Sequence, residues 1–65
     1  MKRIEFERHL KVNGCLLLRE GSNHSIWINP ANNFQTDVPR HPEIVKITCN
    51  IVCKQLSIPA PTKSQ

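Results

Sequence analysis

Apolar positions in the first dozen residues recur four apart, Phe6 and Leu10 with Ile4 beside them, while Glu5, Glu7, Arg8 and Lys11 take the other directions. That spacing predicts a short amphipathic helix from Arg3 to Asn13. Asn13-Gly14 supplies the left-handed residue that commonly ends a helix. The period then changes. "CLLLRE", bounded by Gly14 and Gly21, is too short for a helix and predicts a strand buried on at least one face. "HSIWIN" alternates with period two, sending His24, Ile26 and Ile28 to one side and Ser25, Trp27 and Asn29 to the other. These two runs are expected to pair as a hairpin. Pro30-Ala31-Asn32-Asn33 is turn chemistry, and "FQTDV" predicts a third strand with Phe34, Thr36 and Val38 on one face.

Pro39 and Pro42 bracket Arg40-His41 and end that strand. Pro42 fits the first position of a second helix, with Glu43 beside it to complement the helix dipole. Through "EIVKITCNIVCKQL" one apolar row runs Val45, Cys49, Val52, Leu56 and a second runs Ile44, Ile47, Ile51, leaving a polar stripe of only Lys46, Asn50 and Lys54. A helix so apolar needs cover on more than one side, part of it from another chain. Ser57 to Gln65 is rich in Pro and small polar residues. The expected organisation is one domain over 1–58 and a loose tail over 59–65. The fold class is α+β, helix-strand-strand-strand-helix, with both helices on one face of a three-stranded antiparallel sheet and the other face left for function.

The chain has 65 residues, with nine Lys and Arg against five Asp and Glu for a formal charge of +4. So small a domain buries only about 60% of the surface its unfolded chain exposes. A deep lidded cavity is not expected, and an enzyme of this size acts on a large substrate from an open surface. The positive charge favours a polyanionic partner such as nucleic acid. "MKRIEFERHLKVNG" lacks the apolar run of a signal peptide, and no stretch is long enough to cross a bilayer, so a cytosolic (cytoplasmic) location with no membrane contact is expected. Cys15, Cys49 and Cys53 are odd in number and sit in apolar patterns, as reduced thiols do.

Few side chains are placed for chemistry. His24 follows a Gly-Ser-Asn turn and begins a strand, where an imidazole that titrates near neutrality is held firmly with its tip in solvent; it is either a proton-transfer group or a polar strand end. Arg40 and His41 precede the expected helix start and are either a phosphate site or a solvated loop. His9 reads as a partly buried surface residue. Cys49 and Cys53 share a helix face without further ligands at metal-site spacing, which favours core over metal. Trp27 either stacks on a base or packs in the core against Cys15, Leu17 and Val38. No phosphate loop, nucleophile elbow or carboxylate pair is present, and no cofactor or metal is expected.

The chain resembles the HicA toxins of bacterial type II toxin-antitoxin systems, also described as YcfA-like proteins. The likeness spans about residues 2 to 58. It rests on "KRIEFERHLKVNGCLLLREGSNHSIWINP", which is similar to the family's pattern of a first helix ending in Gly, an apolar strand, a histidine-bearing turn, an aromatic residue three positions on and a Pro soon after. Thr36-Asp37-Val38-Pro39-Arg40-His41 and Val52-Cys53-Lys54-Gln55-Leu56 extend it. The resemblance implies a fold like the double-stranded RNA-binding domain and an endoribonuclease that cuts messenger RNA and is silenced by a HicB-type antitoxin. It places the catalytic histidine at His24.

On that footing His24 is a general base or acid for attack of a ribose 2′-OH on the neighbouring phosphate. Lys2, Arg3, Arg19 and Arg40 are candidates to stabilise the developing charge, Arg40 foremost, and with Ser22, Asn23 and His41 they make up the expected RNA-binding set. Two other classes compete: a binding module of the same shape that does not cut RNA, and an adaptor that docks a partner through its broad apolar helix.

Overall fold

The computed structural model describes residues 1–61, so the part of the expected tail from 62 onward lies outside the described residues. Helix α1 (Arg3–Val12) is followed by strands β1 (Leu16–Glu20), β2 (His24–Asn29) and β3 (Phe34–Pro39) and by helix α2 (Lys46–Leu56). The strands form one antiparallel sheet in the order β1-β2-β3. The expected α+β arrangement is borne out.

Phe6 and Leu10, one turn apart, are the buried residues of α1. The helix ends in a Schellman motif: Gly14 takes φ +86, its N–H donates to the Lys11 carbonyl, and the Cys15 N–H reaches back to Leu10. The turn drops Cys15 into the core. In β2 the two faces separate as the alternation predicts, with Ser25, Trp27 and Asn29 buried and His24, Ile26 and Ile28 on the opposite side. β3 pairs with it over six positions without a break, so Val38 and Thr36 lie beside Ser25 and Trp27. Phe6 and Leu10 of α1, Cys15, Trp27, Val38, Ile44, and Cys49, Val52, Cys53 and Leu56 of α2 make one core on that side of the sheet. Both helices therefore cover the same face. Asn29, buried at the end of β2, donates through Nδ2 to the Leu56 carbonyl at 2.8 Å and accepts the Ala31 N–H at 3.1 Å, tying the β2–β3 turn to the end of α2. α2 ends as α1 does, with Ser57 at φ 58 and the Ile58 N–H bonded to the Cys53 carbonyl.

Three expectations fail. β1 is buried on neither face: Leu16, Leu17 and Leu18 are all about half exposed. It is an edge strand, a bulge between Leu17 and Arg19 breaks its register, and the core position is taken by Cys15 just before it. Leu17 stands opposite Trp27 in the ladder yet stays about half exposed, so Trp27 packs on Cys15 and Val38 without enclosing it. The second helix does not begin at Pro42. It starts at Lys46, because residues 42–45 run extended beside the amino-terminal segment, with the Arg3 N–H on the Pro42 carbonyl, the Ile44 N–H on the Met1 carbonyl and a bridge between Lys2 and Glu43. That shift reassigns two apolar residues: Ile44 is buried and Val45 is exposed, the reverse of the rows read from helical spacing.

Candidate functional site

The sheet face turned away from the helices carries His24 at its corner. The hairpin that presents it is short: the Gly21 N–H donates to the His24 carbonyl at 2.8 Å, and Glu20 stands opposite Ser25. Glycine is favoured at position 21 by proximity, since a Cβ here would lie 3.1 Å from the His24 carbonyl oxygen and press it aside by a few tenths of an ångström. Gly21, Ser22, Asn23 and His24 are all exposed. Together with Arg19 and Glu20 of β1 and Ile26 of β2 they line an open depression of about 380 Å³. This is a surface suited to an extended ligand.

Arg40 anchors the turn from the far side. Its Nη1 donates to the Gly21 carbonyl at 2.8 Å, its Nη2 lies 3.9 Å from a Glu20 carboxylate oxygen, and its own N–H donates to the Asn23 carbonyl at 3.2 Å. Arg3 in turn donates to the Arg40 carbonyl at 2.9 Å and pairs with Glu7 at 3.7 Å. The structure thus gathers Arg19, Ser22, Asn23 and His24 around one depression and joins Arg40 and Arg3 to it through the backbone. Lys2 and His41 do not line it. Lys2 takes part in the bridge to Glu43, and exposed His41 is separated from α2 by the extended 42–45 segment, so the helix amino terminus does not back Arg40 and His41 as the sequence suggested. Two groups escaped the sequence reading, the Glu20 carboxylate and the Gly21 carbonyl. A charged residue directly before the turn glycine was the available signal for Glu20; nothing in the sequence marks which carbonyl an arginine will take.

The other candidates are structural. His9 donates from Nε2 to the Pro59 carbonyl at 2.8 Å and stacks on Phe6 with ring centroids 6.4 Å apart. Trp27 is buried and turned toward the helices, out of reach of a base. Burial pushes all three thiols above their ordinary pKa, Cys53 to about 11, where the neighbouring Cys49 and Cys15 add to the effect, so at neutral pH they are protonated and poor nucleophiles. Among the described residues no three His, Cys, Asp or Glu side chains are grouped to hold a metal ion, and no helix is long and apolar enough to cross a membrane.

Fold and surface define a small basic α+β domain that offers an exposed hairpin histidine on one side and open apolar helix surface, Ile47 and Ile51, on the other. Over residues 4–58 the chain matches the family model described as the HicA toxin of bacterial toxin-antitoxin systems. It belongs to that family, is the toxin member of such a pair, and so has a cognate antitoxin. Neither the curated proteins nor the solved structures provide a match.

Proposed function

We propose that this toxin is an endoribonuclease that cuts messenger RNA in the cytoplasm, with His24 as its catalytic residue and without a metal. The observation that carries this reading is the placement of His24: an exposed imidazole, on a turn held from behind by Arg40, in a depression that also offers Arg19. In the proposed step the neutral imidazole takes the 2′-OH proton, the 2′ oxygen attacks the adjacent phosphorus, and the P–O5′ bond breaks. The leaving 5′ oxygen takes a proton from water, and His24 returns its own to solvent. The products are a 2′,3′-cyclic phosphate and a 5′-OH end. Arg19 supplies positive charge beside the phosphate, and Ser22 and Asn23 supply hydrogen bonds at the turn. Lys2 and His41, outside the depression, would meet flanking strand rather than the reacting group, and Arg3 is engaged by the Arg40 carbonyl and Glu7.

A HicB-type antitoxin is the proposed inhibitor. Ile47 and Ile51 are 72% and 51% exposed on α2, on the helix side of the sheet, whereas His24 is on the opposite side. Ile44, once counted with them, is buried and offers nothing to a partner. An antitoxin that covers both surfaces must pass around an edge of the sheet.

The test is His24→Ala. Proton transfer by one side chain is worth about a hundredfold to ten-thousandfold, so cleavage should fall by that factor while RNA affinity and melting temperature hold. Equal cleavage by the two proteins would remove His24 as the catalytic residue, and binding without cleavage by the wild type would sink the enzyme reading and leave the non-catalytic RNA-binding module in its place.

A further inference from the structure

We infer that Arg40 is a positioning residue for His24 rather than a phosphate ligand, with Arg3 fixing it from the other side; this rests on the catalytic role proposed for His24. The turn at 21–24 is exposed at every residue and none of its residues belongs to the core, so hydrogen bonds do most to set its shape. Arg40 provides three of the contacts. Its guanidinium reaches the Gly21 carbonyl and the Glu20 carboxylate, and its main chain takes the Asn23 carbonyl. These grip the turn on both sides of Ser22, while the Gly21 N–H holds the His24 carbonyl. Of the guanidinium nitrogens, Nη1 is hydrogen-bonded to a carbonyl and Nη2 faces a carboxylate at 3.9 Å. Its orientation is fixed by the Gly21 carbonyl, and the Glu20 carboxylate beside it offsets its charge and disfavours a phosphate there. The planar fork matters more than the charge. A lysine ammonium cannot span both partners in that geometry. The Arg3 bond to the Arg40 carbonyl, closed by the Glu7 pair, ties this clamp to α1, which the core holds through Phe6 and Leu10. The aim of His24 is thus referred to the rigid body of the domain.

The experiment compares wild type, Arg40→Lys and Arg40→Ala, each with and without His24→Ala, by single-turnover cleavage of a short single-stranded RNA, by its equilibrium affinity at several salt concentrations, and by amide exchange of the free protein. Misplacement of a reacting group by about 1 Å costs roughly a hundredfold. Both Arg40 variants should therefore lose about tenfold to a hundredfold in cleavage rate with affinity changed less than about threefold. They should lose nothing more when His24 is already Ala, and exchange of the Gly21 amide should quicken at least about tenfold. A phosphate ligand behaves otherwise: Arg40→Lys keeps most of the rate, and Arg40→Ala weakens binding and lowers the salt slope by about one. That pattern overturns the proposal. The Gly21 exchange rate is read without RNA, so an unchanged value in Arg40→Ala refutes the clamp whatever becomes of catalysis, whereas a quickened value with His24→Ala fully active removes the catalytic reading and leaves the clamp.

Discussion

The chain has two glycines, and the structure gives them opposite reasons to be glycine. Gly14 sits at φ +86 with nothing within 4 Å of where a Cβ would be, so Gly14→Ala meets no neighbour and bears only the conformational cost of the left-handed region, about 1–2 kcal/mol. Gly21 lies outside that region, and its Cβ would press to 3.1 Å on the His24 carbonyl oxygen. There Gly21→Ala gains about 0.4–1 kcal/mol by restricting the unfolded chain and loses a comparable amount to crowding, leaving stability within about 0.5 kcal/mol of wild type. In a domain of this size 1 kcal/mol moves the melting temperature by about 4–8 °C, so Gly14→Ala should melt about 4–16 °C lower and Gly21→Ala within about 4 °C. Activity should sort the other way. The atom that must yield in Gly21→Ala belongs to His24, and a displacement of a few tenths of an ångström, scaled from roughly a hundredfold per ångström, costs about threefold to tenfold in cleavage rate. Gly14→Ala, at the far end of β1, should cut RNA at the wild-type rate when assayed well below its midpoint. Circular-dichroism melts and single-turnover cleavage of the two variants decide the matter. A Gly21→Ala protein that melts below Gly14→Ala, or that cuts RNA as fast as wild type, refutes the coupling of the turn backbone to His24.

Asn29→Ala removes the bonds to the Leu56 carbonyl and the Ala31 N–H, leaving Asn32 Nδ2 at 3.2 Å as the remaining side-chain donor to Leu56; a loss of about 1–3 kcal/mol is expected in urea titration, and a loss under about 0.5 kcal/mol would show the link to be incidental. Cys53 should make the protein alkali-sensitive: its thiol holds the proton more tightly folded (about 11) than its ordinary value of 9.0, so its contribution is full below about pH 9 and declines by of order 2–3 kcal/mol as pH rises to about 11, a slope that Cys53→Ala should flatten. Ile47→Lys and Ile51→Lys replace exposed residues, so the melting temperature of the free toxin should hardly move while antitoxin affinity, measured by calorimetry, drops at least about tenfold; undiminished affinity in both would place the antitoxin elsewhere.

The parts of the fold set by short-range patterning were legible. Phe6 and Leu10 one turn apart, the Asn13-Gly14 stop and the alternation of "HSIWIN" each describe a preference that the tertiary structure then obeys. His24 was legible for the same reason, since a turn residue that opens a strand is exposed by construction. β1 was not. Three consecutive leucines read as a buried strand, but burial is a property of what lies above them, and two helices of 10 and 11 residues cover β2 and β3 while leaving the edge open. The bulge that displaces Leu18 has no signature in "CLLLRE".

The misplaced start of α2 shows how a long-range pairing overrides a local signal, and it bears on the site. Pro42 and Glu43 are good residues for a first helical turn, yet their backbone is claimed by residues 1–3, forty positions away in sequence, and the helix waits until Lys46 with no side-chain cap and no acidic residue in its first turn. The helix dipole acts only within about its first turn, so a start at Lys46 contributes little field at Arg40. The positive charge near His24 must come from side chains. The same extended segment brings Arg3 within 2.9 Å of the Arg40 carbonyl, a contact that a helix beginning at Pro42 would not provide through this ladder. The pairing of the amino terminus with residues 42–44 therefore removes a helix-end anion site and supplies the anchor of the arginine clamp, which is why the turn at 21–24, and not the start of α2, is where the chemistry of this toxin should be sought.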